Sequence, residues 1–222
     1  MLIDSFTVGP WQTNCYLFGT GGQCVVIDAG VGAYQPIMAA LRQRNLALAG
    51  VIATHGHIDH IADAARLANE AGVPMYWHSA DDYMMTRPSA GLGAMSAPLM
   101  VQLFGADALP KAQQSVDLRS AQRVELAGLG FDVVETPGHT PGSVILTSDF
   151  GDGPVALTGD TIFAGSVGRT DLPGGDPTVL DQTLRHLLGL IDDATGLLPG
   201  HGPATTMAVE RRHNQFLLAA SR

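Results

Sequence analysis

The sequence predicts a layered α/β fold with sheets inside and helices outside, and three observations predict it. Apolar residues make up 45% of the 222 residues against 15% charged, a balance that supports a sizeable buried core. Gly (27) and Pro (13) are frequent, as many short connections between elements require. Both halves also repeat one grammar, short apolar strands and a helix with metal-binding residue types where strands stop.

Taken in order, residues 15–18 and 24–27 are β-formers separated by Gly-Thr-Gly-Gly, so they read as a hairpin whose second strand stops at Asp28. A helix fits 35–44, with Pro36 tolerated in its first turn. A short strand at 51–53 runs into a histidine loop, and the Ala/Leu pattern of 61–71 is that of a helix packed by one face. The pattern fades over 76–122, where four methionines stand among Gly and Pro with one helix near 98–104. That insert reads either as a cover on the substrate side or as a segment packed on the domain.

Strands follow at 131–134, 143–147 and 155–157. Asp176-Pro177 is an N-cap and N1 pair for a helix to about Ile191, with Leu180, Leu184, Leu187, Leu188 and Ile191 as its core stripe. Thr205 or Thr206 is expected to cap a last helix reaching 216–219. No linker separates two composition regimes, so one domain over 1–222 is expected.

The formal charge of −9, with no cluster of Lys and Arg, argues against a nucleic-acid partner. Cys15 and Cys24 are too few for a disulfide framework or a thiolate zinc site and are expected to be reduced. The first residues lack a basic segment followed by an apolar run, and no apolar stretch approaches about 18 residues. A soluble cytoplasmic protein with no membrane partner is therefore expected.

The chemistry concentrates in Thr54 to His60, which places three of the eight histidines and an aspartate in one loop. His55 and His57, at i and i+2, present two rings from an extended loop to one divalent ion. Asp59 and His60 lie where the chain turns into a helix and point to a second ion. Pro-Gly-His recurs at His139 and His201, and Gly-Asp stands at Asp160, each after a short apolar strand. His139 completes the first site and His201 the second, while Asp160 bridges two ions at about 3.5–4 Å, as in two-metal hydrolases. A hydroxide bridging such ions forms near neutral pH. Zinc, iron and manganese all accept this mixed nitrogen and oxygen set, with zinc the first expectation. His78, His186 and His213 stand apart and are read as structural or surface residues. There is no serine nucleophile elbow, P-loop or dinucleotide fingerprint, so the metals must carry the reaction.

His55-x-His57-x-Asp59-His60, His139, Asp160 and His201 resemble, in order and spacing, the metal motifs of the metallo-β-lactamase superfamily. The resemblance implies a four-layer αββα sandwich with internal duplication, a dinuclear site at one edge, and Asp28 as a carboxylate supporting that site. Residues 13–17, 159–163 and 168–171 are similar to stretches of glyoxalase II, especially its short bacterial relatives. This implies hydrolysis of a small-molecule thioester such as S-lactoylglutathione; in the mechanism expected for it, Asp59 orients the hydroxide. The chain ends soon after His201, so the helical C-terminal domain that helps hold glutathione in larger glyoxalases II is not expected. Arg169 is the local candidate anchor for a thiol carboxylate, with pairing to Asp171 or Asp176 as the alternative. Gly168-Arg169-Thr170-Asp171 also resembles persulfide dioxygenases, which hold a single iron through three protein ligands. That activity, or hydrolysis of another ester or a lactone, is the alternative to a thioesterase.

Overall fold

Neighbouring residues of one strand point to opposite faces of a sheet, and here they enter different cores. Leu17 packs toward helices while Phe18 packs toward a second sheet, and Ile145 and Leu146 divide in the same way. The computed structural model describes residues 2–119, 123–151 and 153–222.

The first half contributes β1 (Leu2–Val8), β2 (Thr13–Thr20), β3 (Gln23–Ile27), α1 (Tyr34–Arg44), β4 (Ala47–Ile52), α2 (Ile58–Ile61), α3 (Ala64–Ala71), β5 (Met75–Trp77), α4 (Asp82–Met85), α5 (Ser89–Leu92), α6 (Ala97–Phe104) and β6 (Ser115–Asp117). Its six strands form one sheet in chain order, antiparallel through β3 and parallel from β3 to β6. The second half contributes β7 (Arg123–Leu126), β8 (Leu129–Glu135), β9 (Val144–Asp149), β10 (Pro154–Gly159), β11 (Ile162–Phe163), β12 (Ser166–Val167), α7 (Pro177–Leu190), β13 (Gly196–Pro199), β14 (Thr205–Thr206), α8 (Met207–His213) and α9 (Gln215–Ala220). Its sheet runs β14-β13-β10-β9-β8-β7, with β10 and β13 parallel, and β11 and β12 pair as a separate hairpin.

Three apolar clusters lie between four layers. Leu17, Val26 and Val51 meet Ile37 of α1 and Leu67 of α3. Phe18, Ile27 and Ile52 face Phe131, Val133 and Leu146 between the sheets, where Phe18 and Phe131 meet edge to face at 6.2 Å. Ala156 and Leu197 meet Leu180, Leu184 and Leu187 of α7 and Leu217 of α9. The expected leucine stripe is thus a core face, and truncating fully buried Leu187 to Ala costs about 2–5 kcal/mol on the usual scale for such cavities. This is the αββα sandwich.

Local differences from the sequence reading have local causes. The helix expected over 61–71 starts at Ile58 and breaks before Ala64. There the Asp63 N–H donates to the Ala29 carbonyl at 3.0 Å, and the Asp63 carboxylate accepts from Tyr34 N. The last helix is likewise interrupted at Asn214, whose side chain caps α9. Thr206 caps α8, while the Thr205 hydroxyl donates to Glu210 at 2.7 Å. The insert 76–122 holds strands β5 and β6 and three short helices where one helix was expected; its residues 120–122 lie outside those described. Cys15 and Cys24 are buried free thiols, both pushed up by burial. Among the described residues no helix is long and apolar enough to cross a membrane.

Candidate metal centre

Parallel pairing brings strand ends to one edge. Strands β3 and β4 deliver Asp28 and the Thr54–His60 loop there, and the parallel pair β10 and β13 delivers Asp160 and His201. His139 arrives from the loop between β8 and β9. All seven expected ligands converge. Ligand atoms of His55, His57 and His139 lie within 4.8 Å of one another, as do those of Asp59, His60 and His201, and those of His55, His60 and Asp160.

The ring nitrogens are oriented by their outer partners. His139 Nδ1 donates to the Arg169 carbonyl at 2.7 Å and His201 Nδ1 to the Trp11 carbonyl at 3.1 Å. His60 Nδ1 stands 3.0 Å from Asp28 Oδ2, the third contact of a carboxylate that also accepts from Thr54 N and Oγ1. Asp28 holds these contacts at φ +58°, a left-handed conformation that Asp adopts more readily than most residues. With Nδ1 carrying the proton, each of these rings turns an Nε2 lone pair inward. His139 Nε2 then faces His57 Nδ1 at 2.9 Å, and His60 Nε2 faces His201 Nε2 at 3.3 Å.

This donor set fits a divalent cation. His55 Nε2 and His57 Nε2 are buried without a hydrogen-bond partner, a condition that native interiors rarely tolerate, and Asp160 Oδ1 has the His60 Nε2 contact at 3.3 Å. A cation also resolves the two Nε2 lone pairs that face each other between His60 and His201. Electrostatics separates the two triads. Burial, then neighbouring His60, holds His55 well below its usual range, and burial with His139 lowers His57 to about 3. For His60 burial acts in the same sense, yet Asp160, Asp59 and Asp28 outweigh it and raise it well above its usual range. Burial likewise opposes protonation of His201, but hydrogen bonds with Asp160 and Asp59 push it up to about 10. Burial raises Asp59, and His60 and His201 more than reverse this, to about 2.

The centre opens into a cavity of about 380 Å³ that includes His57, Asp59, His139, Asp160 and His201, with Trp11, Leu92, Phe163 and Leu172 among its apolar walls. Arg169 lines it too, but its guanidinium forms a two-pronged pair with Asp171 at 2.6 Å on each arm. The alternative of a structural pairing thus holds for Asp171. His78 caps the turn at Ser79–Asp81, and His186 and His213 are exposed, all outside the centre.

Sequence reasoning missed the walls and one set of supports. Asn14 Nδ2 donates to the carbonyls of Pro199 and Gly202, Tyr16 donates to that of Pro199 at 2.8 Å, and the Thr13 hydroxyl donates to Asp59 at 3.1 Å. The stretch 13–17 is therefore a brace for the His201 loop. Its signal was present as a polar Thr-Asn at the head of an apolar strand.

The model of the metallo-β-lactamase superfamily matches residues 8–201. Hydroxyacylglutathione hydrolase GloC of Haemophilus influenzae is 31% identical over the full length of both chains. Among solved structures, the B3 metallo-β-lactamase BLEG-1 superposes with a TM-score of 0.82 at 30% identity, covering 98% of this chain and 99% of its own. TTHA1623, solved in a di-iron-bound form, gives 0.78 at 35% identity, with 96% and 100% covered. Sandwich, ligand order and these likenesses agree, and the chain belongs to the metallo-β-lactamase superfamily.

Proposed function

We propose that the protein is a dinuclear metal-dependent thioester hydrolase acting on substrates such as S-lactoylglutathione. The observation that carries this reading is the meeting of two ligand triads around Asp160 at the floor of one cavity. Likeness to a hydroxyacylglutathione hydrolase over the full length supports the substrate class. Two divalent ions, zinc first, would be held by His55, His57 and His139 and by Asp59, His60 and His201, with Asp160 between them. When bound they supply a water acidic enough to attack at neutral pH and a Lewis acid for the carbonyl.

The chain's own groups do the rest. Asp59, held by Thr13, accepts a hydrogen bond from the attacking water and so orients it. Trp11, Leu92, Phe163 and Leu172 receive the apolar part of the substrate and keep bulk water from the acyl carbon. Arg169 would anchor a thiol carboxylate only by exchanging Asp171 for it, so a modest share of binding is assigned to it.

The test is the rate at which zinc-loaded protein hydrolyses S-lactoylglutathione, with Asp160→Ala as control. Turnover near or above about 10 per second, the median for enzymes, supports the reading. The same rate from Asp160→Ala with both metals retained sinks it. One iron per chain with oxygen uptake on a persulfide assigns the oxidase instead, for which residues 168–171 are the motive.

A further inference from the structure

Outside the ligand set lies a second buried carboxylate. Asp81 is 1% exposed and ends the turn Ser79–Asp81 at the head of the insert. Among the described residues it forms no ion pair. Its oxygens are met by three donors: Oδ2 accepts from Gly56 N at 2.8 Å and from the Thr140 hydroxyl at 2.7 Å, and Oδ1 from Gly142 N at 2.8 Å. A buried anion with no cation beside it persists only where donors compensate its lost hydration.

The donors are telling. Gly56 separates His55 from His57, and Thr140 follows His139 directly. The approach requires glycine at 142, where a Cβ would stand 2.7 Å from the Asp81 Cγ, and leaves little room at 56, where one would stand 2.9 Å from Met84 Cε and 3.0 Å from the Asp81 Cβ. Asp81 thereby ties the His55–His57 loop to the His139 loop, across which His57 Nδ1 and His139 Nε2 sit 2.9 Å apart. The other triad is supported elsewhere: His60 by Asp28, and His201 by the Trp11 carbonyl.

We infer that Asp81 is a positioning residue for the three-histidine triad, setting the spacing of His57 and His139 and hence the affinity of that triad for its metal. The inference rests on the reading that each triad holds one divalent ion. Supporting groups beyond the ligands commonly govern metal affinity by about 10–100-fold. A purely structural carboxylate would change thermal stability without favouring one site over the other.

The experiment measures zinc stoichiometry and stepwise affinity, by competition with a chromophoric chelator, in purified full-length protein. Wild type is compared with Asp81→Ala, Asp81→Asn and Thr140→Val. Glu210→Gln serves as control, since Glu210 is a buried carboxylate whose backbone donor is Gly165, away from both ligand loops. Two equivalents are expected in wild type and in Glu210→Gln. In Asp81→Ala one equivalent is expected to stay tight while the other weakens by about 10–100-fold, with Asp81→Asn recovering part of the loss. Wild-type affinities at both sites in Asp81→Ala overturn the inference alone, as does equal weakening of both. Fewer than two equivalents in wild type overturn the two-ion reading and the inference with it. If Asp81→Ala does not fold, Thr140→Val decides: selective weakening of one site supports the inference, and unchanged affinities refute it.

Discussion

The two candidate ligand triads are built by unlike means. His55, His57 and His139 are 2%, 4% and 2% exposed and offer imidazoles only. In the other triad the side chains of His201 and Asp59 are 26% and 15% exposed, and a carboxylate is among the ligands. Burial keeps His55 and His57 neutral, whereas carboxylates around His60 and His201 favour their cations. The first triad is thus a closed cage of imidazoles alone, and the second a more open, carboxylate-bearing one whose His201 and Asp59 reach the cavity while His60 stays fully buried. On the two-ion proposal, affinity in the first would depend on how two loops are held apart, and in the second on charge.

Asp160 touches both regions, so its loss should have the largest effect. Asp160→Ala is expected to lower thioester hydrolysis by well over about 100-fold, beyond the range for supporting groups, and to leave at most one metal by elemental analysis. His201→Ala comes next: it removes a ligand of the open triad alone, and metal content is expected to fall from two equivalents to one. Equal loss of both would erase the distinction between the triads. Asp28→Asn sharpens it, because an amide in place of the carboxylate weakens the orientation of His60 Nε2. About 10–100-fold weaker binding at the open site is expected by chelator competition. The smallest effect is that of Arg169→Ala. Its pair with Asp171 is exposed, and such pairs contribute about 0–1 kcal/mol, so the melting temperature should move by less than about 4 °C. A few-fold rise in KM for a thioester of a carboxylated thiol, without change in kcat, would mark substrate contact.

The ligands were legible because few residue types bind divalent metals and these stood at the ends of apolar strands, where a rigid backbone meets a turn. Core faces were legible where periodicity was clean, as in the α7 stripe. What escaped depended on partners remote in sequence. The break before Ala64 follows from the Ala29 carbonyl, and the one at Asn214 from a side chain that also donates to the carbonyl of Ser166. Asp81 stood in an insert whose pattern had faded, so nothing nearby marked it as a brace for two distant loops.

By itself the sequence determined the chemical inventory: six candidate ligand positions in two sets, a seventh candidate between them, and apolar strands to carry them. Only the tertiary structure decided which nitrogen of His60, His139 and His201 faces inward and what holds it there. Residue types and spacing are local properties, whereas the outer hydrogen bonds that select tautomers join groups as far apart as His201 and Trp11, 190 positions away in the chain.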